Sequence, residues 1–442
     1  MNGHLAAFAF LPMMLLIWGC EDNDQADTRK TALLTRNPDG SSALGEGVAQ
    51  SVCLSPDGMR VCYLMEHREV NPFTARITSR VRVLHWGSTS DPTVMSSVQI
   101  ETLGAEYGGY VQVDAEVRWS PNSSRIGVRT PHRLVIVEAN SGKHAELKDG
   151  TITSFAWLSD SEVAYGARRI GRRTQERVVC RLNVDTQQKT DVLIFPKQDA
   201  TIHEGVEEWS PSGRFVIIEE PYGLVQLYCV TVFDGTKLPF GQAGLDRGRV
   251  AWSPDSSRVF CVLHKAPIGT YEAVLLDPET GTTLDCSGPF QQVFANQSPE
   301  LAPVWTVDGQ YVLVNTLSTN GYLVRPQPWE AIPLGQRVAP AVRGRRGSSL
   351  NPRLFSLPVA GWVGVLPTGN EGDSPVKYAC DYAAQRTLPL LSGYPYDVSQ
   401  NGTMAAAIGD DGHIKIHRLG KWWLGPNSTQ PSRPARNPGQ AE

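Results

Sequence analysis

Several chemistries are missing from this 442-residue chain before any fold is considered. Its eight cysteines include no Cys-x-x-Cys pair, so a zinc knuckle or thioredoxin-type centre has no ligand set. Gly-x-Ser-x-Gly, a Gly-rich phosphate loop and His-Glu-x-x-His are all absent, which removes the marks of α/β-hydrolase, P-loop and zincin chemistry. Net charge is only −4, from 41 basic and 45 acidic residues. Nucleic-acid binders concentrate Lys and Arg in a basic domain, so no nucleic-acid partner is expected. No apolar run reaches the roughly 20 residues that a membrane helix needs. Nor does any stretch between the repeats described next read as a convincing helix.

What the chain does have is a turn that keeps returning. It reads Leu54-Ser55-Pro56-Asp57-Gly58, Trp119-Ser120-Pro121-Asn122-Ser123 and Trp157-Leu158-Ser159-Asp160-Ser161. It continues as Trp209-Ser210-Pro211-Ser212-Gly213, Trp252-Ser253-Pro254-Asp255-Ser256 and Trp305-Thr306-Val307-Asp308-Gly309, with a worn copy at Val398-Ser399-Gln400-Asn401-Gly402. A β-favouring run precedes each turn and another follows, as Arg249–Trp252 and Arg258–Leu263 show. Pro sets φ at the second turn position, Asp bonds its own backbone and Gly accepts positive φ, so each copy predicts a hairpin. A third and a fourth run follow in each unit. Four antiparallel strands per unit predict an all-β fold, a β-propeller of four-stranded blades.

The interval between the last two turns is about twice the usual step, which places a further unit at Arg353–Leu357 and Ala360–Leu366. The count is then eight blades, with seven as the alternative. The recurring Trp119, Trp157, Trp209, Trp252 and Trp305 read as packing between blades rather than as a stacking platform for sugars or bases. Asp57, Asp160, Asp255 and Asp308 read as turn residues rather than metal or catalytic groups. No cofactor or metal is expected. Composition, with 41 Gly and 31 Pro, suits many short strands and turns.

The Trp-Ser-Pro-Asp-Gly turn followed by a β run resembles the WD40-like propeller repeat of TolB-type periplasmic proteins. The same repeat occurs in the propellers of prolyl-oligopeptidase-type peptidases. The resemblance covers about residues 45 to 425 and implies a protein-docking module of the cell envelope. The chain departs from the TolB type in showing no separate α/β domain before the first blade.

Residues 5–19 are an apolar stretch of signal-peptide length, and Ile17-Trp18-Gly19-Cys20 resembles a bacterial lipobox. The expectation is a signal peptide over 1–19, a lipid on Cys20 and a tether over 20–44. Thr31–Thr35 is a candidate ring-closing strand. A soluble secreted protein is the alternative. The tail from Pro426 onward, 426–442, is expected to be disordered. Cys53 and Cys62 flank the first turn on neighbouring strands and are a conceivable pair, while the other cysteines read as small buried hydrophobes. Arg168, Arg169, Arg172 and Arg173 read as a solvated loop, as does the cluster Arg343 to Arg346. His413 and His417 share a strand face about 13 Å apart, too far to chelate one ion. His203, with Glu204, Glu207 and Glu208 near it, falls at the expected channel mouth. Together with His264 it defines the alternative reading, a propeller enzyme of the metal-dependent polysaccharide lyase or hydrolase type. The favoured expectation is a monomeric, non-catalytic scaffold in the periplasm or on the outer membrane, presenting one ring face to a protein or glycan partner.

Overall fold

The computed structural model describes residues 47–70, 77–91, 95–104, 115–170, 174–195, 198–199, 207–222, 224–243, 249–265, 270–294, 303–306, 308–315, 321–333, 351–356, 362–368, 378–381, 386–389, 396–398, 404–408 and 414–418. Cys20, Thr31–Thr35, His203, Glu204 and the tail lie outside them.

Among the described residues the strands form eight antiparallel sheets, each a meander in chain order. They span 47–104, 116–147, 151–199, 207–243, 249–285, 304–333, 351–389 and 396–418, and are called the first to the eighth sheet below. Six have four strands. The third gains a short extra strand, Gln198–Asp199, and the eighth has three described strands. The unit read at 353–366 is the start of the seventh sheet, with strands Asn351–Ser356 and Trp362–Thr368. The fold is a β-propeller.

Period-two alternation explains how the sheets stack. In the second strand of the fourth sheet, Val216 and Ile218 pack with Trp209 and with Ala164 and Val179 of the third sheet. Phe215 and Ile217 point the other way, onto Val259, Cys261 and Leu263 of the fifth. A strand buried on both faces needs an unbroken apolar run, which is why Val259–Leu263 carries no polar residue. The ring closes where Val52, Leu54, Val61, Tyr63 and Met65 of the first sheet pack with Ala406, Met404 and Ile416 of the eighth. First strands of successive sheets approach one another, whereas fourth strands such as Lys189–Ile194 and Thr283–Asp285 are largely exposed. The first strands therefore line the axis.

One element departs from the sequence reading. A helix, Ser287–Phe294, lies between the fifth and sixth sheets. The Asp285 carboxylate accepts the Ser287 amide at 2.8 Å, satisfying a donor at its start. Phe290 and Phe294, four apart, share one face and pack on Tyr271, Tyr322 and Trp329. The helix is eight residues long and holds one such pair, too little periodicity to stand out in a chain dominated by β runs.

Candidate functional site

The repeated turns form one end of the ring. Ser55 Oγ donates to Asp57 Oδ1 at 2.5 Å and the Met59 amide donates to the same oxygen at 2.9 Å. Asp255 accepts in the same way from Ser253 Oγ and the Ser257 amide, and Asp308 from Thr306 Oγ1 and the Gln310 amide. The hydrogen bond from Ser253 helps hold Asp255 below the usual carboxylate range. Asp160 does something else. It accepts the Asn122 amide of the preceding sheet at 2.8 Å. Ser123 and Ser256 take a left-handed φ of 62° and 63°, unusual for a non-glycine residue. Their hydroxyls accept the Asp57 amide at 3.5 Å and the Ser212 amide at 2.9 Å, each from the preceding sheet.

The tryptophans end the first strands and bond backward across the sheet seams. Trp119 Nε1 donates to the Cys53 carbonyl, Trp157 to Arg118, Trp252 to Glu208 and Trp305 to Ala251, at 2.9 to 3.2 Å. Each acceptor immediately precedes the turn-leading Leu54 or Trp of the sheet before. Trp209 is the exception and donates to Ser154 Oγ at 2.7 Å. Trp119, Trp157, Trp209 and Trp305 are buried, whereas Trp252 is half-buried and stacks on Phe215 with 6.1 Å between ring centroids.

Charged groups gather along the first strands. Glu207 is nearly fully buried: its Oε2 accepts from Thr153 Oγ1 at 2.5 Å and Ser154 Oγ at 2.6 Å, and its Oε1 faces Arg177 at 3.3 Å. Arg177 also donates to the Glu219 carbonyl of the fourth sheet at 2.8 Å. Glu207 thus ties the third sheet to the fourth and is not free to bind a ligand. Glu208, its neighbour in the same strand, is solvent-accessible. The surrounding protein raises its carboxyl pKa by desolvation. Arg118 opposes that shift, and Glu116 and Glu219 add to it. Arg118 and Glu116 belong to the second sheet and pair with each other, and Arg118 is 43% exposed. The charges of Arg118 and Glu116 on the second sheet thus act on Glu208 of the fourth.

Other sequence candidates are placed differently. Arg168 and Arg169 end a strand, Glu162–Ile170, rather than sitting in a solvated loop. Arg169 is internally neutralised: it bonds Asp149 at 2.9 and 3.0 Å and Asp191 at 2.7 and 2.8 Å. Tyr165 and Lys189 complete the shell around Asp149. Sequence reasoning missed this network because its acids lie far along the chain from the arginine. Arg172 and Arg173 lie outside the described residues, as do Arg343 to Arg346. His264 lies in the strand Val259–Lys265 opposite Tyr271. His417 pairs with Ala405, and His413 is outside the described residues. Cys53 and Cys62 face each other in register across the first hairpin and are not joined by a disulfide. Cys180, Cys229, Cys261 and Cys286 are buried. Burial pushes the Cys180 and Cys229 thiols up to about 12, so they are poor nucleophiles. Among the described residues no group of three His, Cys, Asp or Glu is placed to hold a metal.

No family model matches the sequence, and no curated protein does. Solved structures do. A prolyl endopeptidase matches with a TM-score of 0.50 and 10% identity over 84% of this chain and 54% of that one. The β-propeller domain of the Trilobed protease from Pyrococcus furiosus matches at 0.46 and 11%, over 78% and 96%. A putative TolB from Agrobacterium tumefaciens matches at 0.37 and 10%, over 73% and 92%. The chain spans about half the length of the prolyl endopeptidase. The likeness to the prolyl endopeptidase is one of fold.

Proposed function

We propose that this chain is a non-catalytic docking module of the cell envelope, exported and held to the membrane by a lipid on Cys20. It presents the axial end of its ring that carries Arg118 and Glu208 to a protein or glycan partner. The observation that carries this reading is solvent-accessible charge, Arg118 and Glu208, on the axial first strands of two non-adjacent sheets. Glu207 and Arg177, by contrast, are spent on holding the third sheet to the fourth. A wall fixed in that way keeps Arg118 and Glu208 in place without a ligand, so binding need not order them first.

Charge of both signs at the mouth favours a partner with complementary charge and fixes its register more than its affinity. Reversing both charges, Arg118→Glu with Glu208→Lys, is the test. Partner recovery from crosslinked intact envelopes should fall to background while the folded state persists by circular dichroism. Recovery unchanged by the double reversal rejects this face.

A further inference from the structure

We infer that the first sheet, beside its seam with the second, holds an anion-binding site, which takes a carboxylate or phosphate group through Arg68 and Arg80. Glu66, Arg82 and Glu101 stand in register on the second, third and fourth strands of the first sheet. Arg82 donates to Glu101 at 2.6 Å and to Glu66 at 3.4 Å, and all three side chains are at most 1% exposed. Thr130 of the second sheet donates to the remaining Glu101 oxygen at 3.0 Å. That row is a structural tie between the two sheets.

Beyond it two guanidiniums share one carboxylate oxygen. Arg68 and Arg80 lie directly opposite each other across the strand pair. Like charges in that relation destabilise a sheet. Both lean onto the same oxygen, Glu66 Oε1, at 3.2 and 3.6 Å, while Arg82 holds the other. Arg133 reaches Glu101 only at 4.0 Å and shares Glu146 with Lys148. Arg68 and Arg80 thus share Glu66, and Arg133 and Lys148 share Glu146.

The geometry also leaves donors unused. The Nε groups of Arg80 and Arg133 are buried and have no acceptor. Guanidinium donors form strong, charge-assisted bonds to carboxylate and phosphate oxygens. Arg68 and Arg80 are 33% and 13% exposed, so a small anion reaches them from solvent. The site stands whether or not the ring docks a partner, because it is defined by a small anion.

Calorimetric titration of the full chain with inorganic phosphate and with citrate, at low salt, tests the site. The expected result is saturable binding of at least one probe at one site per chain. It should weaken about tenfold or more in Arg80→Gln and in Arg68→Gln, and with added salt. Arg214→Gln, which removes a surface guanidinium paired with Glu279 on a distant sheet, should leave it unchanged. If Arg80→Gln does not fold, the more exposed Arg68 carries the test alone. Competition by a glutamate-rich peptide would point to an acidic protein segment as the source of the anion, and its absence to free or esterified phosphate. No saturable heat with either probe, or wild-type affinity in folded Arg68→Gln, overturns the inference.

Discussion

Arg125, which opens the second strand of the second sheet, reaches into the third sheet and donates to the Asp160 carbonyl at 2.9 Å and to the Asp185 carboxylate at 2.5 Å. The same reach recurs around the ring with different chemistry. Arg60 donates to the Ser123 carbonyl and to Asn140. Arg181, held by Glu162, stacks over Phe233 with 4.7 Å to the ring centroid. Arg214 pairs with Glu279 at 2.7 Å. In each case a guanidinium of one sheet meets the outer corner, between third and fourth strands, of the next. Arg125→Met should destabilise by about 1–2 kcal/mol, because the Asp160 carbonyl loses its charged donor. Asp185, 53% exposed, contributes through a screened pair, so Asp185→Asn should cost less than about 1 kcal/mol. Urea unfolding of the two variants checks the difference.

The indole bonds predict a second ordering. Trp305 is 3% exposed and its bond to the Ala251 carbonyl is buried, whereas the Trp252 bond to Glu208 is open to solvent. Trp305→Phe leaves a buried carbonyl unpaired and should cost about 1–3 kcal/mol. Trp252→Phe leaves one that water can satisfy and should cost less. Equal shifts in the urea midpoint would contradict the assignment.

Acid should loosen the third sheet. The hydrogen bonds from Arg169 hold Asp191 at about 2. Burial opposes ionisation of Asp149, but bonds from Arg169 and Tyr165 outweigh it and hold that carboxyl below its usual range. Both folded-state values lie below the unfolded ones, so the stabilisation is complete above the ordinary carboxylate pKa of about 4 and is lost as pH falls toward 2. Asp191→Asn should be less stable than the parent at pH 6 and should flatten the acid dependence between pH 4 and 2. An unchanged pH profile would show that the Arg169 pairs are not formed in solution.

His85 acts in a higher window. It is buried, stacks on Tyr63 with 4.8 Å between centroids, and neither ring nitrogen has a hydrogen-bond partner. Burial, with the nearby His67, lowers its pKa to about 4. The unfolded chain takes up a proton near pH 6.5 that the folded state refuses, so stability declines as pH falls from about 6.5 to 4. His85→Phe keeps the ring stack, removes that decline and should match or exceed the parent at pH 5. Thermal midpoints across pH 4 to 8 measure it.

The parts of the fold legible in sequence are those written within a few residues. Ser55, Asp57 and Gly58 form a turn by local bonding, and Trp119 or Trp305 ends a strand beside one. The run Val259–Leu263 shows its two-sided burial by composition alone. Contacts between sheets are not written locally. Arg125 and Asp185, or Thr153 and Glu207, are tens of residues apart, and no period in the chain announces that they meet. Leu158, inserted after Trp157, shifts the turn by one residue, so that Ser161 stands two residues after Ser159 and donates its amide to the Ser159 hydroxyl. That leaves Asp160 for the Asn122 amide, a shift of one residue that the motif alone does not reveal. At the candidate site, Glu207 and Glu208 were visible as an acidic pair, but only the backbone's alternation separates the buried one from the accessible one.

The most direct measurement is a scan with a photo-crosslinking amino acid around the ring, made in intact envelopes. Positions 118 and 208, at the axis, are compared with 189 and 283 on outer strands. A docking module working through its axial end predicts one discrete adduct at 118 and 208 and none at the outer positions. Adducts spread equally over all four, or confined to 189 and 283, would contradict it.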